Sequence, residues 1–365
     1  MYDDERTSED AVPSFRTFKL PPPGFDAREA SERELLLYGA PRRPNPATHP
    51  ALAARWNRIA ACQHDFVIPE LRPLPIRHQV DPSFIERRQL REIELARFAE
   101  KDFDRGRGDT LFDLSKLAGL VSDRISLADL RSPIADLLRM LPQTSTNWSG
   151  AFVSRPSSEP IMTVSGEWNV PGVNPPLRPG GGYMDGTYIC VAWVGIDGTS
   201  GSNDVLQAGS GSQCVVAGGK FTSTRFFLWT EWFSKPWVEV ANLPVSVGDR
   251  IACTVCAPFE KTHGSAILNN LTTGQSTSIG IDAPALTTLS GNVAEWIVED
   301  PSTLSGGPYP FPVYSGTTFS GAVAGTRNVE LNAWDGTEID MVQGGVTLSS
   351  GVIQSKRTVF CHYGP

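Results

Sequence analysis

From residue 141 onward the chain alternates. Val, Ile, Thr, Trp and Phe take turns with small polar residues, and Gly, Pro, Asn and Ser interrupt the pattern every ten residues or so. A repeat of two fits a strand with one side against a core, whereas an amphipathic helix needs a repeat of 3.6. On this pattern Val164–Val170, Cys190–Ile196, Phe226–Phe233, Arg250–Ala257, Ser265–Leu271, Asn292–Glu299 and Val346–Leu348 read as strands. Few helices of any length fit between them. The expectation is an all-β fold with antiparallel sheets packed as a sandwich.

The first 140 residues differ. They carry 45 charged residues, about a third of the segment, against 27 in the remaining 225, which hold eight of the nine tryptophans. The step near Met140 is the expected boundary, giving 1–140 as an extension and 141–365 as the β domain. Leu20-Pro-Pro-Pro-Gly24 and Pro41-Arg-Arg-Pro-Asn-Pro46 read as extended chain. Asp81-Pro82 starts a helix whose spacing runs through Phe84, Leu90, Ile93, Leu95 and Phe98, and a second helical pair spans about 111–141, broken near Ser132-Pro133. Such a helical and proline-rich segment covers surface well but lacks the apolar content for a large core. It reads as a wrapping extension or pro-region.

Net charge is −8, with −7 of it in the β part, which argues against nucleic acid and anionic membrane as partners. No run of eighteen apolar residues occurs, and the opening Met-Tyr-Asp-Asp-Glu-Arg has neither the basic start nor the apolar stretch of a signal peptide. Five of the six cysteines lie in the β part. Cys253-Thr-Val-Cys256 sits in an alternating strand whose positions i and i+3 face opposite ways, so buried free thiols are expected rather than a metal site. No metal or cofactor is expected.

Familiar nucleophile motifs are missing: there is no G-x-S-x-G, no H-E-x-x-H and no phosphate loop. His263 and His362, the two histidines of the β part, sit in no motif and read as surface or loop residues. A hydrolase built on this chain would have to use carboxylates and amides. Glu295, Ile297 and Glu299 share one strand face, with Trp296 and Val298 on the other, and Trp229, Glu231 and Phe233 share a face in the same way. Gln207 stands between Val205-Leu206 and Ala208-Gly209. On spacing alone, a satisfied buried amide for Gln207 and a partly buried ion pair for Glu295 are as compatible as catalysis.

Seven blocks change that balance. They are Asn147-Trp-Ser-Gly-Ala151, Gly166-Glu-Trp-Asn-Val-Pro171, Trp193-Val-Gly-Ile-Asp-Gly198, Leu206-Gln-Ala-Gly209, Trp229-Thr-Glu-Trp-Phe233, Asn270-Leu-Thr-Thr-Gly274 and Ala294-Glu-Trp-Ile-Val-Glu-Asp300, in that order. Together they resemble the glutamic peptidases, or eqolisins, from about Ser145 to the C-terminus. The resemblance implies a concanavalin A-like sandwich of two antiparallel sheets and an acid-active endopeptidase acting on polypeptides. It places the catalytic pair on Gln207 and Glu295, and the substrate groove around Trp148, Trp193, Trp229 and Glu231. It also implies export, although no signal peptide is visible, and a monomer is expected. Two positions depart from the family pattern: Gly211 stands where an aspartate is common and Thr230 where an aromatic is common. These bear on substrate preference and on the orientation of Gln207, and leave a weak or inactive relative open.

Two other classes remain. Glu338-Ile-Asp-Met-Val-Gln343 partly matches the Glu-x-Asp-x-x-Glu strand of jelly-roll glycoside hydrolases, but Gln343 removes the acid. A sandwich that binds a glycan or peptide without chemistry is the other. Glu338 and Asp340 lining the groove would favour the glycosidase; Gln207 and Glu295 converging there would favour the peptidase. For the extension, the expectation is a pro-region over the groove, held by ion pairs of Arg87, Arg88 or Arg91, or else a permanent cap.

Overall fold

A strand that is apolar at every position, not every second one, must be covered on both sides. The run Ile189–Ile196 is of this kind, and it lies in the middle of the molecule. The computed structural model describes residues 15–87, except 63, 79, 80, 82 and 85, and residues 143–365, except 156, 157, 200–203, 259–261 and 286. The helices expected beyond Phe84 and over 111–141 fall outside the described residues.

Two antiparallel sheets form the sandwich. The front sheet runs, edge to centre to edge, through Val238–Val240, Lys220–Trp232, Leu206–Ala217, Gly186–Ile196, Val293–Glu299, Trp148–Ser154 and Thr337–Gln343. The back sheet runs through Thr358–Tyr363, Thr317–Gly325, Thr163–Asn169, Arg250–Cys256, His263–Asn270 and Gln275–Asp282. Val346–Ser355 pairs with both Thr337–Gln343 and Thr358–Tyr363, so one hydrogen-bond ladder turns the corner between the sheets. All seven segments read as strands from the alternation fall on strands here.

The front sheet separates two apolar clusters. Cys190, Ala192, Val194 and Ile196 point into the core between the sheets, with Ala294, Trp296 and Val298 beside them. Ile189, Val191 and Trp193 point the other way, with Val293, Ile297 and Trp229. A sandwich on its own would leave that outer face to solvent. Here the face is covered.

The cover comes from the extension. Phe15–Thr17 adds a strand to the free edge of Gln275–Asp282, and Asp65–Phe66 pairs in parallel with the start of the same strand. Two helices, Glu32–Leu37 and Pro50–Ala60, lie between. Alternation and proline content gave no hint of them. The signals were a capping box from Ser31 to Glu34 and a proline at the first turn of the second helix. From that helix Arg55, 6% exposed, donates to the Ser165 hydroxyl at 2.6 Å and the Gly166 carbonyl at 2.7 Å. Glu167 lies 3.7 Å from Arg55 and also holds Arg58 at 2.6 Å and Arg250 at 3.0 Å. A guanidinium this deep is costly unless paired, and Glu167 supplies the pairing. Residues 71–78 then cross to the front face. Asp81 accepts from the backbone N–H groups of Ser83 and Phe84, a helix-start geometry, and from that of Thr146, which ties this stretch to the β domain.

The six cysteines are free thiols, four of them fully buried. Burial pushes the Cys190, Cys253 and Cys361 thiols up, so they remain protonated. No helix among the described residues is long and apolar enough to cross a membrane.

Candidate active site

Strand register decides which side chains meet. Glu231 lies opposite Gln207, Gln207 opposite Gly195, Gly195 opposite Glu295, and Glu295 opposite Phe152. Residues directly opposite in neighbouring strands point to the same face. The row Glu231, Gln207, Gly195, Glu295 therefore sets a carboxamide and a carboxyl either side of a residue with no side chain. Their Cα atoms are two strand spacings apart, about 10 Å, with the side chains reaching over the same gap. A Cβ on Gly195 would stand 3.2 Å from the Gln207 Cβ and 2.8 Å from the Trp193 ring. Glycine at 195 leaves the space beside Gln207 to the Trp193 ring, and a methyl would not fit there.

The next row is Trp229, Gly209, Trp193 and Ile297, and the one after it Phe227, Gly211, Val191, Glu299 and Trp148. Trp148 meets Trp193 edge to face at 5.0 Å, and Trp229 stacks on Trp237 at 3.7 Å. All six residues singled out from the sequence thus come to one face of the front sheet.

Hydrogen bonds orient the polar groups. Gln207 Nε2 donates to Glu231 Oε2 at 2.6 Å, and the Thr230 hydroxyl donates to the Gln207 backbone carbonyl at 2.9 Å. Burial pushes the Glu231 carboxyl well above the usual range; the Gln207 bond opposes the shift and the Glu299 charge adds to it. Trp193 Nε1 donates to Glu299 Oε2 at 2.8 Å, while His78 Nδ1 lies 2.9 Å from Glu299 Oε1. Gln207 Oε1, Glu231 Oε1 and Trp229 Nε1 are buried without a hydrogen-bond partner among the described residues.

Three residues of this face were not assigned roles from the sequence. Glu299 shares a strand face with Glu295, so its position was readable but not its partners. Trp237 and His78 gave no signal beyond residue type. His263 sits on the back sheet opposite Asp282 and His362 on the last strand opposite Ser350, so the histidine near the site is one from the extension.

The two departures have structural explanations. A Cβ on Gly211 would lie 2.2 Å from the Phe227 ring, which occupies the space an aspartate would need. Thr230 alternates with Trp229 and Glu231, so its side chain is on the opposite side of the sheet and lines no groove. Glu338 accepts from the Ile353 N–H and Asp340 from the Gly351 N–H, so both carboxylates are taken up by the neighbouring strand. The glycosidase arrangement is not formed. Of the expected latch arginines, Arg87 bonds the Thr144 carbonyl at 2.6 Å and lies 3.7 Å from Asp81 of its own segment; Arg88 and Arg91 fall outside the described residues.

The profile of the peptidase A4 family matches residues 146–363, well over half the chain. This chain belongs to the peptidase A4 family. Within that family of glutamic peptidases it is 32% identical to aspergillopepsin-2 of Aspergillus niger over 224 residues, 56% of this chain and 73% of the relative. It is 31% identical to scytalidopepsin B of Scytalidium lignicola over 169 residues, 46% of this chain and 57% of the relative. A crystal structure of scytalido-glutamic peptidase with a transition-state analogue inhibitor superposes with a TM-score of 0.50 at 24% identity. It covers 60% of this chain and 98% of that one, and shares the fold. The peptidase A4 match begins at Thr146, so the extension lies outside it.

Proposed function

We propose that this glutamic peptidase is an acid-active endopeptidase in which Glu295 and Gln207 cut peptide bonds through a bound water. The observation that carries the reading is the row in which the two flank Gly195 on one buried face. Glu295 as carboxylate takes a proton from the water attacking the scissile carbonyl and returns it to the leaving amine. The Gln207 amide has two N–H bonds. One is used on Glu231, which fixes the plane of the amide, and the other is available to the oxyanion. A preorganised donor of this kind lowers the barrier by roughly 3 kcal/mol. An amide does not titrate, so it keeps working in acid where a histidine base would be protonated. Trp148, Trp193 and Trp229 supply apolar walls for an extended polypeptide.

The test is acid digestion of casein in the presence of pepstatin, which glutamic peptidases resist. Glu295→Gln and Gln207→Ala should each abolish it, with far-UV circular dichroism unchanged. Full activity in either variant would end the assignment.

A further inference from the structure

The outer face of the front sheet is occupied by the chain itself. Leu71–Pro73 pairs antiparallel with Val238–Val240 at the sheet's edge, and Ile76–Arg77 pairs antiparallel with Ser302–Thr303, just past the end of the central strand Val293–Glu299. Between them the Leu74 N–H donates to the Trp237 carbonyl at 2.8 Å. The stretch is extended and runs from the sheet's edge strand to the chain that leaves its central strand. Its side chains alternate: Leu74, Ile76 and His78 are buried, while Pro73, Pro75 and Arg77 are exposed.

The inward side chains meet the site. Leu74 and Ile76 belong to the same apolar cluster as Trp148, Trp193, Trp229 and Trp237. His78 packs between the rings of Trp148, at 5.4 Å, and Phe233, at 5.2 Å, and its Nδ1 meets Glu299. The Arg77 charge is close enough to draw down the Glu231 carboxyl slightly. Pro73 and Pro75 fix two φ angles of the stretch, which lowers the entropy lost in lying flat. Gln207 and Glu295 are both 0% exposed in this arrangement.

We propose that residues 71–78 sit in the groove as a bound peptide would, making this segment the chain's own inhibitor. The ligand class is then an extended peptide with aliphatic side chains at two alternate positions, the places of Leu74 and Ile76. The proposal rests on the peptidase reading of the groove. It also divides the extension: residues 15–66, built into the back sheet through strand pairing and the Arg55–Glu167 contact, stay in place when 71–78 leaves.

Two measurements on the full-length chain test this. In the first, the double variant Leu74→Asp, Ile76→Asp is compared with wild type on a fluorogenic peptide at about pH 4. A rise of at least tenfold in initial rate, reversed by a synthetic peptide of residues 70–78 but not by the same peptide carrying both aspartates, is expected. An unchanged rate in a chain that does cut the substrate overturns the proposal. If circular dichroism shows that the double variant does not fold, Ile76→Ala takes its place, with at least a threefold rise expected and no rise overturning it. In the second, the double variant combined with Glu295→Gln is titrated with the synthetic peptide, following the fluorescence of the groove tryptophans. Saturable binding of the natural peptide alone supports the proposal even if no variant cuts anything, in which case only the peptidase reading fails. No binding by a folded variant overturns it.

Discussion

Asp300 is a buried acid whose proton should govern how stability changes with pH. It follows the strand Val293–Glu299 and is 1% exposed. Its backbone N–H donates to the Asn147 carbonyl, and its Oδ2 accepts from Gln343 Nε2 at 2.8 Å. Burial pushes its pKa up from 3.8 to about 8, against the pull of the Gln343 bond and with the Glu299 charge adding to the rise. The folded chain thus keeps a proton that the unfolded chain releases. Stability from this group is greatest below pH 3.8, declines as pH rises, and levels off near pH 8. At about 1.4 kcal/mol per pH unit, the loss between pH 4 and pH 7 is on the order of 4 kcal/mol. For a domain of this kind that is on the order of 10 °C in melting temperature. Asp300→Asn removes the titration and keeps an oxygen for Gln343. The buried amide it introduces has its own cost, about 1–3 kcal/mol, but that cost does not depend on pH. Thermal melts at pH 4 and pH 7 are the assay. Wild type should melt higher in acid and Asp300→Asn should lose most of the difference. An undiminished difference in the variant would refute the reasoning.

Other perturbations probe the brace and the gap. Glu167→Gln leaves the buried Arg55 without its counter-charge, a loss of about 3–5 kcal/mol; the half-exposed Arg58 and Arg250 add about 1 kcal/mol or less. Urea unfolding at pH 7 should show it, and a midpoint unchanged from wild type would mean that residues 15–66 are not built into the fold. Burial raises the Glu167 pKa, but the Arg58 bond and the Arg55 charge outweigh it and hold the carboxyl below its usual 4.5. Its contribution is therefore present above about pH 4.5 and is lost only as pH falls through the depressed value. Gly195→Ala puts a methyl between Gln207 and the Trp193 ring, an overpacking cost of about 1–3 kcal/mol. The expected result is a fall in kcat/KM on peptide substrates of at least a hundredfold, while the melting temperature drops by only a few degrees. Wild-type kcat/KM would contradict the role given to the gap.

The strands were legible because a two-residue period is a local property. Cys190–Ile196 and Asn292–Glu299 carry it, and each lies on a strand within a few residues of the sequence reading. Register is not local. Nothing in the spacing of Gln207 and Glu295 says that Gly195 stands between them, since the Gly195–Glu295 pairing joins strands about 100 residues apart and is settled by packing of the whole sheet. The ordered family blocks pointed to the pair; residue chemistry alone left it open. Leu74-Pro-Ile76 drew no reading from the sequence because its apolar run is too short to show a period. Its burial depends on Trp148, Trp193 and Trp237, none of which is near in sequence. The second helix was hidden in the same way, its docking fixed by one arginine reaching Ser165 and Gly166.

The pairing of Phe15 with Ile281 has a consequence for synthesis. At about 5–20 residues per second, the first strand leaves the ribosome roughly 10–50 s before its partner exists. Through that interval the first strand is unpaired, and Ala51 and Leu52 of the second helix lack Val323, the residue they pack on. Biogenesis should then depend on chaperones that hold the early chain, and dilution from denaturant should yield less native protein at high concentration than slow, sequential release.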